Sequence, residues 1–309
     1  MRENYIRELL KLKNIHNEIV VLDADCSHST WTSKYAKYYP DSFFNIGVAE
    51  QNMIGIAAGL ALKNKLPIVN AFSKMLVMRG FEQIHDLIGL QKIRVVLVGH
   101  YAGFSAGLEG VTHYSLNDIA LMRQISNINI FVPGNDLEVE LCLQEAIISE
   151  KASYIRLSKN LASTIEKTLV DIKNGFSIIK NNVCNKKIIL VSVGSVFGRM
   201  QKVFEELKKR EYPVGFLSIW KLNDNVIDEV CEIIQENDLV VVVEENCSVA
   251  GVGEWIQCKS SDRKNNASIL KINTALEKGD TGEYNYLMEK LEITPEKIME
   301  KILMEWENV

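Results

Sequence analysis

Long apolar runs are missing from this 309-residue chain. The longest, Met53 to Leu62, falls far short of the roughly 20 residues that a bilayer span needs. No membrane segment is expected. The amino-terminal residues Met-Arg-Glu-Asn-Tyr-Ile-Arg-Glu-Leu-Leu follow amphipathic-helix spacing, so no signal peptide is expected either. Paired cysteines are also missing. Cys26, Cys142, Cys184, Cys231, Cys247 and Cys258 form no CxxC and match no zinc spacing, which predicts reduced thiols in a cytoplasmic protein. There is no excess of positive charge. Lys and Arg total 35 against 40 Asp and Glu, and the net charge of −5 argues against nucleic acid or an anionic membrane surface as the main partner. The phosphate-loop pattern Gly-x-x-x-x-Gly-Lys-Ser/Thr does not occur, and neither does a short-period repeat or a low-complexity tract.

What is present is an ordinary globular composition, 47% apolar and 24% charged. This length suggests about two domains, with a core large enough to fold without disulfide or metal staples. Short β-branched runs alternate with helical patterns. Strands are expected at Ile19–Asp23, Pro67–Ala71, Arg94–Val98, Asn127–Val132 and Ser153–Leu157. Helices are expected at Ala49–Lys63, Lys74–Leu87, Leu116–Gln124 and Leu137–Ser149. Such alternation predicts βαβ units around a parallel sheet, with strands apolar throughout because both faces are covered. A more polar stretch follows, and then the pattern restarts with strands at Ile188–Val193, Val214–Ile219, Leu239–Glu244 and Ile269–Ile272. The expected organisation is an α/β domain over 1–160, a linker over 161–176 and a smaller α/β domain over 177–309, both doubly wound.

Ligands of open parallel sheets bind beyond the carboxyl ends of the strands. The loops there are Asp23–Thr30, Phe72–Met75, the glycine-rich Gly99–His113 and Ser158–Asn160. Glu50 opens a largely apolar helix. It can be a capping carboxylate favoured by the helix dipole, or a desolvated group able to share a proton with a ring nitrogen. His100, Glu109 and His113 lie among glycines that allow close backbone approach to a ligand. They can form a polar substrate site, a structural loop or, less readily given their spacing, a metal site. Gly55 and Gly59 suggest close helix packing. Gly-Val-Gly at 251–253 follows a strand but lacks the rest of a dinucleotide fingerprint.

Taken together, these segments resemble the transketolase family. Phe43-Phe-Asn-Ile-Gly-Val-Ala-Glu-Gln-Asn-Met-Ile-Gly-Ile-Ala-Ala-Gly-Leu-Ala61 is similar to the family's pyrimidine-binding domain, especially that of split enzymes made of two polypeptides. The likeness continues through Phe72, Met78–Ile84, Gly107–His113, Asp118–Arg123 and Val132-Pro133. It then covers Val243–Asn246 and Gly251–Gly253 of the second domain, which resembles the transketolase C-terminal domain. The Gly-Asp-Gly motif of the family's diphosphate-binding half is absent, since Gly279-Asp280 is followed by Thr281. The resemblance therefore implies the C-terminal subunit of a split transketolase. It would share thiamine diphosphate with an N-terminal subunit that carries the Mg2+ or Ca2+, as a dimer within a two-plus-two complex acting on sugar phosphates.

Site roles follow from the same resemblance. Glu50 falls at the cofactor-activating glutamate. His113 matches a catalytic histidine near the donor sugar's hydroxyls. Phe72, Met75 and Met78 fall in the pyrimidine pocket. Ser27, His100, Glu109 and Lys159 fall at substrate contacts, with no metal ligand in this chain. Several positions depart from the family pattern: Met75 replaces a stacking aromatic, Glu109 an aspartate and Lys159 an arginine. His100 is one residue out of register with a phosphate-binding histidine, and Tyr101 takes the nearer alignment. These departures suggest a sugar other than the ordinary pentose phosphates. A 2-oxo acid dehydrogenase β subunit and a non-catalytic scaffold are the alternative readings.

Overall fold

A computed structural model describes residues 1–159, 165, 170–179, 188–235, 237–263, 267–274 and 280–308. Cys184, Gly279 and half of the expected linker lie outside the described residues. The chain divides into two compact units, Met1–Phe131 with Glu138–Leu161, and Val132–Leu137 with Ala162–Val309.

The first unit opens with α1 (Arg2–Lys13) and β1 (Ile19–Asp23). There follow α2 (Ser27–Thr30), α3 (Thr32–Tyr38), β2 (Phe43–Asn45), α4 (Glu50–Ala61) and β3 (Leu66–Phe72). Next come the three-residue α5 (Phe81–Gln83), β4 (Val96–His100), α6 (Asp118–Met122), β5 (Ile128–Phe131), α7 (Asp136–Ile148) and β6 (Ala152–Arg156). The strands of this unit lie in the order β5-β6-β4-β3-β1-β2, and every pairing among them is parallel. β1, β4 and β6 are buried at every position, as expected of strands covered on both faces. From β1 the chain goes to β2 on one side and returns to β3 on the other. This places a topological switch point between β1 and β3, where such sheets form a crevice at their carboxyl ends.

One expected helix takes a different form. Lys74–Leu87 is a π-helical turn at Met75–Arg79, the short α5 and a second π-helical stretch at Ile84–Gly89. Gly80 lies between the first turn and α5. A Cβ there would sit 2.2 Å from the Ile54 side chain and 2.7 Å from the Leu76 carbonyl, so only glycine lets the π turn press against α4. Gly55 and Gly59 behave otherwise. Nothing lies within 4 Å of a Cβ at either, so within this unit they mediate no close packing.

The second unit holds β7 (Val170–Ile172), β8 (Phe176–Ile179), β9 (Ile188–Val193), β10 (Val214–Ile219), the short β11 (Lys221–Leu222), β12 (Leu239–Glu244) and β13 (Ser268–Ile272). Its helices are α8 (Phe197–Lys209), α9 (Asp224–Ile234), α10 (Val252–Asp262), α11 (Tyr284–Lys290) and α12 (Pro295–Trp306). The sheet order is β13-β12-β9-β10-β8-β7, parallel except for β8 and β7. β7 and the start of β8 fall where a linker was expected. Val170 and Phe176 are buried, and their short hairpin adds an antiparallel edge to the sheet. The Gly-Val-Gly segment begins α10, and its free amides are already taken. The Glu244 carboxylate accepts from the N–H groups of Val252 and Gly253, each at 2.9 Å. A carboxylate thus occupies the anion position that a dinucleotide phosphate would need.

Candidate active site

A cleft of about 740 Å3 lies at the switch point of the first unit. The loop after β1 supplies Ala24, Asp25, Cys26 and Ser29. β3 and the turn after it supply Ala71, Phe72, Lys74, Met75, Met78 and Arg79. Val48, Glu50, Thr112 and His113 complete the wall.

Local hydrogen bonds explain the shape of the first loop. Asp23 ends β1 fully buried, and accepts from the Cys26 N–H at 2.7 Å and from the Thr30 and Thr32 hydroxyls at 2.8 and 2.7 Å. These bonds fold the loop back over the strand end. Burial pushes the Asp23 carboxyl above the usual carboxylate range, against the pull of those donors. Burial and the Asp23 charge likewise push the Cys26 thiol up, so it is no ready nucleophile. Asp25 and Trp31 both adopt the left-handed conformation, with φ of 60° and 69°, which costs energy in a side chain as bulky as tryptophan.

The position of Glu50 is set from two directions. Asn45 at the end of β2 accepts from the N–H groups of Asp25 and Gly47, each at 3.0 Å, and donates to the Asp25 carboxylate at 2.8 Å. Gly47, at φ 83°, then turns the chain into α4, whose first residue is Glu50. The carboxylate sits at a helix N-terminus, where the dipole favours negative charge. It is 3% exposed, and its Oε2 accepts from Arg79 Nη1 at 2.7 Å. Oε1 has no hydrogen-bond partner among the described residues.

His113 reaches the same cleft from the glycine-rich loop. Its ring centroid is 6.3 Å from that of Phe72, and its Nδ1 is 3.0 Å from the Thr112 hydroxyl. Lys74 ties this loop to the end of β3 by donating to the Val111 carbonyl at 3.1 Å. Beneath the loop lies a buried polar network. Asp118 Oδ2 accepts from Arg156 Nε at 2.8 Å, Tyr154 OH at 2.7 Å and Ser73 Oγ at 3.1 Å, while Arg156 also donates to the Ser115 carbonyl at 2.9 Å.

A cationic and aromatic cluster adjoins the cleft. Arg2 Nη1 donates to the Ser29 carbonyl at 2.6 Å and lies 3.3 Å from Tyr101 OH. Its guanidinium stands 5.2 Å from the Trp31 ring and 5.4 Å from the Tyr101 ring. Lys34 lies 3.6 Å from the centroid of Trp31, and Lys159 lies 5.0 Å from that of Tyr101. Tyr101 packs on Phe72 at 4.5 Å between centroids.

The structure thus brings Glu50, Phe72, Met75, Met78 and His113 together, and sets Lys159 beside Tyr101. Three expected substrate contacts are elsewhere. His100 is wholly buried at the end of β4, bonded through Nε2 to Asn70 Oδ1 at 3.0 Å, so it faces the core rather than a substrate. Glu109 is exposed on a short 3-10 turn, outside the cleft lining. Ser27 begins α2 and does not line the cleft, because the turn held by Asp23 presents Cys26 and Ser29 instead. Sequence reasoning missed Arg2, Ser29, Trp31 and Arg79. Arg79 lies inside the Met78–Ile84 segment of the resemblance, but no role was attached to it there. Among the described residues, no three His, Cys, Asp or Glu side chains gather as a metal site, and no helix is long and apolar enough to cross a membrane.

Comparison with known proteins bears on this geometry. Residues 1–164 match the family model described as the transketolase pyrimidine-binding domain, and residues 179–298 match the transketolase C-terminal domain. A protein of Methanocaldococcus jannaschii named as a transketolase C-terminal section is 30% identical, over 99% of this chain and 96% of its own. A 6-deoxy-6-sulfo-D-fructose transketolase subunit of Clostridium sp. is 24% identical, over 97% of this chain and 92% of its own. The chain spans 49% of the 1-deoxy-D-xylulose-5-phosphate synthase of Dictyoglomus thermophilum, at 28% identity. Among solved structures, a split-gene transketolase described as an inactive β4 tetramer superposes with a TM-score of 0.83. It is 27% identical, with 98% of this chain and 96% of that one covered.

Proposed function

This chain belongs to the transketolase family, and from that premise we propose that it is the pyrimidine-binding subunit of a two-polypeptide transketolase. It transfers a two-carbon ketol unit between sugars with thiamine diphosphate. The observation that carries this reading is the buried Glu50 carboxylate at the wall of the cleft, with Oε1 unclaimed and Phe72, Met75 and Met78 around it. An apolar slot ending in one carboxylate fits a flat heterocycle with a basic ring nitrogen. The diphosphate and its metal need a different donor set, which a second subunit supplies. Thiamine diphosphate, when bound, contributes a thiazolium able to stabilise a carbanion.

The chain's own residues orient and protonate. With thiamine diphosphate bound, Glu50 Oε1 would hold a proton shared with the ring nitrogen. Met75 supplies a polarisable thioether surface in place of an aromatic face; such sulfur–ring contacts contribute about 0.3–1.5 kcal/mol. His113 stands where it can hydrogen-bond a substrate hydroxyl and stabilise charge that develops beside the cofactor. Arg2 and Lys159, steadied by Tyr101, supply positive charge for an anionic end of the sugar. A lysine there binds phosphate or sulfonate as a point charge, without arginine's bidentate fork.

The test is reconstitution. This chain alone is expected to be inactive, and to gain ketol transfer when mixed with an N-terminal subunit carrying Gly-Asp-Gly. Glu50→Gln should abolish hydrogen–deuterium exchange at the thiazolium carbon while leaving the circular dichroism spectrum unchanged. Retained exchange in that variant would refute the role given to Glu50.

A further inference from the structure

Arg79 has no part in the roles above, yet it holds the residue on which they depend. The Arg79–Glu50 bond is the only hydrogen bond that the Glu50 carboxylate makes among the described residues. The backbone places that carboxylate only as far as its Cα. Asn45, Gly47 and the start of α4 determine where the residue begins, and do not by themselves set which way its carboxylate is turned. Arg79 takes Oε2 and leaves Oε1 unclaimed on a residue that lines the cleft. The approach depends on a local device: the π turn Met75–Arg79 lies against α4 because Gly80 removes the Cβ that would meet Ile54. Turns of this wider kind recur at functional sites. The two partners differ sharply in solvent access, with the Glu50 side chain 4% exposed and that of Arg79 47% exposed. Arg79 is therefore anchored at one end only, through the carboxylate.

We propose that Arg79 is a positioning residue for the cofactor's ring, acting through Glu50 by holding its carboxylate with Oε1 presented to the ring nitrogen. The proposal rests on the thiamine reading above. It assigns Arg79 no direct contact with cofactor or substrate, although the residue lines the cleft.

The experiment measures thiamine diphosphate affinity, in the presence of Mg2+, for the full chain assembled with its N-terminal subunit. Arg79→Met removes the charge and the donors, and Arg79→Lys keeps the charge. Each is made alone and in the Glu50→Gln background. A charge-assisted hydrogen bond of ordinary strength predicts that Arg79→Met weakens binding by about tenfold or more, and that Arg79→Lys recovers most of the loss. In the Glu50→Gln background, Arg79→Met should change affinity by less than about twofold, because the two residues act as a unit. Near-UV circular dichroism of Arg79→Lys checks that the fold is retained. An equal loss in both backgrounds would show direct contact with the ligand and overturn the proposal. No loss in the Arg79→Met single variant would also overturn it, while leaving the thiamine reading standing. If the unmutated pair binds no thiamine diphosphate, that reading falls and the inference with it.

Discussion

His100 provides a quantitative test of the first unit's core. It is the last residue of β4 and is fully buried. Its Nε2 donates to Asn70 Oδ1, which also accepts from Tyr5 OH at 2.7 Å, and the ring meets Tyr5 edge-on at 5.4 Å. Nδ1 has no partner among the described residues. Burial first, and the nearby Arg2 charge second, push the imidazole from 6.5 down to about 3. The unfolded chain binds a proton at this residue below pH 6.5, and the folded chain does so only near pH 3. The unfolded state therefore holds more protons throughout that window, and stability rises with pH across it. The contribution is fully present above pH 6.5 and is lost as the pH falls. Linkage over the range from pH 7 to pH 5 gives about 2 kcal/mol. His100→Gln keeps a donor toward Asn70 and cannot titrate. Hydrogen exchange of the β4 amides, followed by mass spectrometry, reports the opening free energy of this core. The unmutated chain should lose about 2 kcal/mol more between the two pH values than the variant does. The comparison cancels other titrations, including that of Asp23. Equal losses would refute the claim that His100 is buried neutral, and would restore a solvent-facing role for it.

Two further expectations concern how the cleft is held. Gly80→Ala should force the π turn away from α4, costing about 1–3 kcal/mol by overpacking and weakening thiamine diphosphate binding in the assembled complex. Unchanged melting temperature and affinity together would show that the close approach is dispensable. Arg156→Met leaves the buried Asp118 carboxylate without its cation and should cost about 3–5 kcal/mol in urea unfolding. A loss below about 1 kcal/mol, the range of exposed pairs, would mean that the network beneath the glycine-rich loop is not desolvated as described.

The two-domain α/β architecture was legible before any coordinates, because buried parallel strands write themselves as continuous apolar runs between helical patterns. The short pieces were not legible. β2, β7 and β8 have three or four residues each, too few for periodicity to register, and β7 and β8 pair as a local hairpin instead of through a crossover. The π turns escaped notice for a related reason. Apolar spacing over Lys74–Leu87 suits a helix of either pitch, and it carries no record of the close approach of Gly80 to Ile54.

The site divides in the same way. Glu50, Phe72 and His113, which the family resemblance singles out, all line the cleft, and a carboxylate at the start of a helix or a histidine in a glycine-rich loop depends on its immediate neighbours. His100 and Ser27 could not be placed, because a strand-end or loop residue turns inward or outward according to what packs beside it. For His100 that neighbour is Tyr5, 95 positions earlier; for Ser27 it is the inward-turned Asp23 carboxylate. Arg79 meets Glu50 across 29 positions, and Arg2 meets Tyr101 across 99. Amino-acid order alone determined the alternating layers, the missing diphosphate motif and the carboxylate at residue 50. Only tertiary packing decided which basic group holds that carboxylate and which face of each loop lines the cleft, since those contacts join segments whose separation along the chain carries no record of their distance in space.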